Sequence, residues 1–196
     1  MARDLLQLPP DLPVPVDDGA CDHLRWRRLP DDVELIASNG RRVRLADLAG
    51  VTVVFVFPSI GRPDRDPVGG IDAWNEIPGA RGCTPQACSY RDHFSELTRL
   101  GARVFGLSAQ TTGDLEEASD RLGLPYELLS DVAMALGRRL RQPTFQFGGA
   151  TLYRRHTLVV VDGRIEHVMY PVFPPGSDAP TVIAWLRARA GAPAAR

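Results

Sequence analysis

Two cysteines stand five residues apart in Gly82-Cys83-Thr84-Pro85-Gln86-Ala87-Cys88-Ser89-Tyr90-Arg91-Asp92. The reactive form of cysteine is the thiolate, and a free thiol is mostly protonated near neutrality. A helix N-terminus presents unpaired N–H groups and the positive end of the helix dipole, and both favour an anion. The pattern predicts a helix starting right after Cys83, with Pro85 in its first turn, where a missing N–H costs little. Cys83 is therefore the better nucleophile by position, and Cys88 falls inside the helix. Five helical residues give roughly 7.5 Å of rise and about 140° of rotation, so the two Cα atoms stand roughly 8–9 Å apart, beyond disulfide reach. The two sulfurs can bond only if the first turns unwind. Redox chemistry is the leading reading. Two alternatives stay open: both thiols as small buried hydrophobes, or a zinc set of Cys83, Cys88, Cys21 and His23. The C-x4-C spacing without a second matching pair is a weak zinc signal.

The elements that must position these thiols follow from pattern. Val51–Phe57 is a β-branched and aromatic run, as expected of a strand buried on both faces and closed by Pro58. Residues 59–82 are rich in Gly, Pro and Asp with little periodicity, which predicts a long loop, with Trp74 packing it or covering a pocket. Ala87, Tyr90, Phe94, Leu97 and Leu100 recur at steps of three and four, one helix face ended by Gly101. A strand over Arg103–Ser108, a helix around Leu115, Ala118 and Leu122, a short strand Tyr126–Leu129 and a short helix Met134–Leu140 follow. Segments Val33–Ile36 and Arg42–Leu45 form a hairpin across Asn39-Gly40, and His156–Val161 and Arg164–Tyr170 form another across Asp162-Gly163. Pro180 opens a last helix. The order is β-β-β-α-β-α-β-α-β-β-α, an α/β class with a mixed central sheet flanked by helices. Residues 1–27 read as a proline-rich N-terminal arm and 28–190 as the domain, with 59–82 as an inserted loop.

Composition narrows the function. At 196 residues one domain is the default, and 44% hydrophobic with 24% charged residues is ordinary for a globular chain. A formal net charge of -1 gives no electrostatic case for nucleic acid or an anionic membrane. All 23 basic residues are arginine. No apolar stretch approaches a membrane span, and Met1-Ala2-Arg3-Asp4 lacks the features of a secretory signal, so a cytoplasmic setting is expected. Three cysteines are too few, and odd in number, for a secreted disulfide framework. His93 and His167 read as surface or structural histidines, and Cys21 as a buried bystander.

The segment Gly82–Asp92 resembles the Gly-Cys-Thr-x-x-Ala-Cys-x-Phe-Arg-Asp stretch of peroxiredoxins of the PrxQ, or bacterioferritin-comigratory, type. Leu122-Gly123-Leu124-Pro125-Tyr126-Glu127-Leu128-Leu129-Ser130-Asp131 is similar to the group's Tyr-Gly-Leu-Pro-Phe-x-Leu-Leu-Ser-Asp. Arg155-His156-Thr157-Leu158-Val159-Val160 resembles its Arg-x-Thr-Phe-Leu-Ile strand. The resemblance implies a thioredoxin-like fold and reduction of hydrogen peroxide or organic hydroperoxides without metal or organic cofactor. Cys83 would be the peroxidatic cysteine, Cys88 the resolving one, and Arg155 the arginine that stabilises the thiolate and orients the peroxide. A Cys83–Cys88 disulfide would be reduced by a thioredoxin-like dithiol protein, in a monomer or homodimer. The chain departs from the pattern at two places. Where the family carries Pro seven residues and Thr three residues before the peroxidatic cysteine, Glu76 and Ala80 stand here, and extra residues separate Pro58 from Cys83. Ser59 or Thr84 are the nearby hydroxyls that could replace the threonine. The altered positions keep a rival function in play, a thiol-based redox sensor or binding module using the same disulfide.

Overall fold

The structure is a computed structural model and describes residues 4–191. In chain order the strands and helices are β1 (Leu35–Ala37), β2 (Arg42–Val43), β3 (Val51–Val56), α1 (Ile71–Asn75), α2 (Cys83–Asp92), α3 (Phe94–Arg99), β4 (Ala102–Ser108) and α4 (Thr112–Leu122). There follow β5 (Glu127–Ser130), α5 (Ala135–Leu140), β6 (Thr144–Phe147), β7 (Ala150–Tyr153), β8 (His156–Val161), β9 (Arg164–Met169) and α6 (Asp178–Gly191). The order β2-β1-β5-β4-β3-β8-β9 makes a seven-stranded sheet. Strands β3, β4 and β5 run parallel, while β1, β8 and β9 pair antiparallel to their neighbours. This is the mixed sheet flanked by helices that the pattern predicts.

The run Val51–Val56 lies inside that sheet between β4 and β8, and its alternation sorts two cores. Val54 and Val56 point into one layer with Phe105, Leu107, Leu129, Leu158 and Val160. That layer is completed by Cys21, Leu24 and Leu29 from the N-terminal segment and by Leu136 and Leu140 of α5. Val53 and Phe55 point the other way with Val104, Leu128 and Val159, under Ala87 and Tyr90 of α2, Leu115 of α4, and Val182 and Ile183 of α6. Each fully buried side chain of this size contributes about 1.5–3 kcal/mol. Gly106 makes the second layer possible. A Cβ there would lie 2.5 Å from Leu128 Cδ2 and 2.7 Å from Phe55 Cζ. Its absence lets the Phe55 ring stack on Tyr90, centroids 4.3 Å apart, which seats α2 on the sheet.

Three local features differ from the sequence pattern. The single helix expected between Cys83 and Gly101 is two. His93 leaves helical geometry at φ −101° and ψ 6°, and its carbonyl accepts the N–H groups of Glu96 and Leu97 to start α3. The apolar face runs through the break, so periodicity cannot register it. The 59–82 segment holds a one-turn helix, α1, whose Trp74 is buried. A small hairpin, β6–β7, turns over Gly148-Gly149 outside the main sheet, a pair of strands absent from the order that the sequence pattern predicts. Trp74 packs on it, 5.0 Å from the Phe147 ring centroid and 6.1 Å from Phe145. At the other end of the chain, residues 21–29 lie along β9. Trp26 N–H donates to Ile165 O at 2.7 Å and Leu29 N–H to Gly163 O at 2.8 Å.

Candidate active site

Cys83 is the first residue of α2, and its backbone entry depends on Gly82, which has φ +101°. A Cβ on Gly82 would lie 2.5 Å from Pro175 Cγ, so glycine serves both the left-handed turn and the close approach of the 3₁₀ turn Pro175–Ser177. Ser89 Oγ fastens the same turn by donating to Gly176 O at 2.7 Å. Cys83 is only 3% exposed.

Arg155, immediately before β8, is also buried, and its guanidinium gathers the loop and the helix start around the sulfur. Nε donates to Gly79 O at 3.2 Å, and Nη2 to Ala80 O and Arg81 O, both at 3.1 Å. Nη2 also lies 3.2 Å from Cys83 Sγ, and Nη1 donates to Gln86 Oε1. Gln86 passes the connection on, with Nε2 donating to Asp178 Oδ2 at 2.6 Å, and Thr157 Oγ1 donates to the same oxygen at 2.7 Å. Burial raises the Asp178 carboxyl above its ordinary value, against the hydrogen bonds of Gln86 and Thr157 that favour the anion. Arg155 thus connects to the buried Asp178 carboxylate through an amide and meets the sulfur directly.

Beside it, His156 is fully buried, its Nδ1 on Arg154 O at 2.9 Å and its Nε2 on the Gln142 side chain at 2.8 Å. Burial pushes this imidazole down to about 4, so it stays neutral and holds the start of β8.

Ala80 stands where the family's threonine would be. Its buried side chain brings no hydroxyl, but its carbonyl accepts from Arg155 and lies 3.6 Å from Cys83 Sγ. Ser59 and Thr84, the two candidate replacements, both line a cavity of about 440 Å³ that reaches Cys83. Cys88 lies farther along α2, at 6% exposure, and burial raises its thiol. All three cysteines are free. Cys21 belongs to the opposite core layer from Cys83, so the sheet separates them. His23 binds Leu140 O through Nε2 at 3.0 Å. The four-residue zinc set is therefore not brought together, and among the described residues no His, Cys, Asp and Glu group forms a metal cluster. His93 Nδ1 donates to Ser89 O at 2.8 Å, and His167 stacks on Trp185.

Sequence reasoning did not single out Gln86 or Asp178. Gln86 had a signal, since it lies one helical turn from Cys83 within the motif itself. Asp178 had none, being joined to the site only by folding.

The Redoxin family matches residues 27–183. The chain is 29% identical over 164 residues to peroxiredoxin Bcp of Escherichia coli, covering 78% of this chain and 88% of that protein. It is 27% identical over 161 residues to the chloroplastic peroxiredoxin Q of Gentiana triflora, covering 81% of this chain. It spans only 65% of the length of that plant relative. Among solved structures, peroxidoxin BcpB of Mycobacterium tuberculosis superposes with a TM-score of 0.65 at 23% identity, covering 84% of this chain and 96% of that one. That likeness establishes the fold, which is thioredoxin-like. With the family match spanning the whole sheet, from the strand-like segment beside β9 to α6, the chain belongs to the redoxin family and is a peroxiredoxin of the Q/Bcp type.

Proposed function

We propose that this protein is a thiol-dependent peroxidase whose nucleophile is Cys83. The observation that carries the reading is the 3.2 Å approach of Arg155 Nη2 to Cys83 Sγ at the start of a helix. In the cycle, the Cys83 thiolate attacks the outer oxygen of a hydroperoxide. The S–O bond forms as the O–O bond breaks, sulfur is oxidised to sulfenic acid, and the departing alkoxide or hydroxide takes a proton to leave as alcohol or water. The helix start and the Arg155 fork stabilise the charge that moves onto the leaving oxygen. The Cys88 thiol then condenses with the sulfenic acid, forming an S–S bond and releasing water. A dithiol protein of thioredoxin type reduces that disulfide by exchange and is itself oxidised. A reducing compartment such as the cytoplasm suits this cycle.

Disulfide formation requires the first turns of α2 to open, because a continuous helix over Cys83–Asp92 holds the two sulfurs apart. Besides the helix's own backbone bonds, the bonds that must yield include those of Arg155 and Asp178 to Gln86, Ser89 to Gly176, and the Tyr126 hydroxyl on Ala87 O at 2.6 Å. The substitution of Ala80 for the family's threonine supports a second reading, a redox sensor that uses the same disulfide to change a partner contact.

Steady-state turnover separates the two. Reduced protein is mixed with hydrogen peroxide, thioredoxin, its reductase and NADPH, and NADPH loss is followed in wild type, Cys83→Ser and Cys88→Ser. The peroxidase reading expects sustained loss in wild type, none above background in Cys83→Ser, and one oxidation per chain without recycling in Cys88→Ser. A single slow oxidation in wild type with no sustained loss contradicts the enzyme and favours the sensor.

A further inference from the structure

Asp178 is 2% exposed at the start of α6 and carries no step of the proposed cycle. A buried carboxylate is costly, and a well-packed apolar side chain in its place is often as stable or more so. Here the cost is only partly relieved. Both hydrogen bonds, from Gln86 Nε2 and Thr157 Oγ1, land on Oδ2, while Oδ1 is buried without a hydrogen-bond partner. The Tyr90 hydroxyl is likewise buried without a partner, yet stands near enough to favour the anion. Such a group calls for a reason other than stability. Its neighbours supply one. Thr157 follows Arg155 by two residues, the spacing of one strand face. Arg155, Gln86, Asp178 and Thr157 thus close a ring across β8, α2 and α6. Of the groups that hold the guanidinium, Gly79, Ala80 and Arg81 offer loop carbonyls, whereas Gln86 is the acceptor on α2, one turn past Cys83. A carboxamide has an acceptor at one end and donors at the other. Turned over, Gln86 would aim its NH2 at the N–H groups of Arg155, donor against donor. Asp178 excludes that arrangement, because a carboxylate accepts and does not donate, so the NH2 end faces it and Oε1 faces Nη1.

We infer that Asp178 is a positioning residue for peroxide reduction: it fixes the Gln86 amide so that the amide oxygen holds the Arg155 fork against Cys83. This rests on the peroxidase reading and adds a residue to it. Asp178 acts on the sulfur only through Gln86 and Arg155. Because both donors meet one oxygen, the role needs an acceptor at that place and not a negative charge. An asparagine supplies that acceptor, since its reverse orientation would again set the Gln86 NH2 against Arg155.

The test is the second-order rate constant for single-turnover oxidation of Cys83 by hydrogen peroxide in the full-length protein, read by quenched mass spectrometry, so that no reductant choice enters. Asp178→Leu, close in shape but without an acceptor, should slow the reaction by about 10–100-fold. Asp178→Asn should stay within about threefold of wild type, because the oxygen is kept. Gln86→Met should slow it as far as Asp178→Leu does, and joining the two should cost less than about a further twofold, because one residue acts through the other. Asp178→Ala is the second variant should leucine not fit, and should slow the reaction in the same way. A merely structural Asp178 would lower the urea midpoint of the leucine and alanine variants without slowing Cys83, or would make the losses at 86 and 178 multiply. Either result overturns the inference, as does an asparagine variant as slow as leucine, or failure of both the leucine and alanine variants to fold. All of these leave the peroxidase reading intact. Failure of wild type to oxidise Cys83 with hydrogen peroxide overturns both, and is recognised before any variant is compared.

Discussion

Cys83 and Cys21 are the same residue type, buried to the same degree, at 3% and 4% exposure, on opposite faces of one sheet. Their neighbours differ completely. Cys83 begins a ten-residue helix and has a guanidinium nitrogen 3.2 Å from its sulfur. Cys21 is pushed up to about 12, first by burial and then by Asp17, Asp18 and Asp22, with Arg154 only partly opposing them. On the proposed reading a thiolate at Cys83 would face the Arg155 guanidinium, whereas one at Cys21 would be buried and join a cluster of carboxylates.

The comparison can be broken most severely at Arg155. Arg155→Ala removes the cation while leaving the helix start, and should lower peroxide oxidation of Cys83 by about 10²–10³-fold, measured by stopped-flow fluorescence or quenched mass spectrometry. Arg155→Lys keeps the charge but loses the fork that binds Gly79, Ala80, Arg81 and Gln86, so most of the loss should remain. A lysine variant with wild-type rate would show that charge suffices without placement.

The strand start that holds Arg155 gives a smaller effect, read as stability. His156 is fully buried, and burial sets its imidazole at about 4 against an ordinary value of 6.5. The unfolded chain takes up a proton near 6.5 that the folded chain refuses until about 4. Stability supplied by His156 is thus present above pH 6.5 and is lost as pH falls toward 4, by roughly 3 kcal/mol at most. Asp178 runs oppositely, because its raised carboxyl is protonated more readily in the folded chain. Urea unfolding of wild type and His156→Gln between pH 7 and pH 4 isolates the histidine. The wild type should lose stability more steeply, and equal slopes would remove the assignment.

On the Cys21 side, replacing Asp17, Asp18 and Asp22 by asparagine should speed alkylation of Cys21 by iodoacetamide only several-fold, since burial, the largest influence, persists. A rise to the rate of Cys83 would mean that local acids alone hold Cys21 inert. Smallest of all, Cys21→Ser should leave peroxide turnover and the pattern of disulfides unchanged, as judged by non-reducing peptide mapping.

How much of this was legible in the sequence follows the range of the interactions. The run Val51–Val56 and the helix start at Cys83 are local signals, and Arg155 was reached through the motif that carries it. The break at His93 was hidden because Phe94 and Leu97 continue the apolar face across it. The β6–β7 hairpin carried its own signal, alternating residues around Gly148-Gly149, but lies apart from the sheet that the other strands define. Gln86 and Asp178 are 92 residues apart, and their bond exists only once α6 has docked on α2. The charged ring around Cys21 likewise needs Arg154 to arrive from the far end of the chain.

The most direct test of the claim that neighbouring charge selects Cys83 uses the Cys88→Ser protein, in which a sulfenic acid cannot be resolved within the chain. Reduced protein receives one equivalent of hydrogen peroxide in the presence of dimedone, and the labelled peptides are quantified by mass spectrometry. The account expects the label on Cys83, with Cys21 unlabelled. Comparable labelling of Cys21, or label on Cys21 alone, would contradict it.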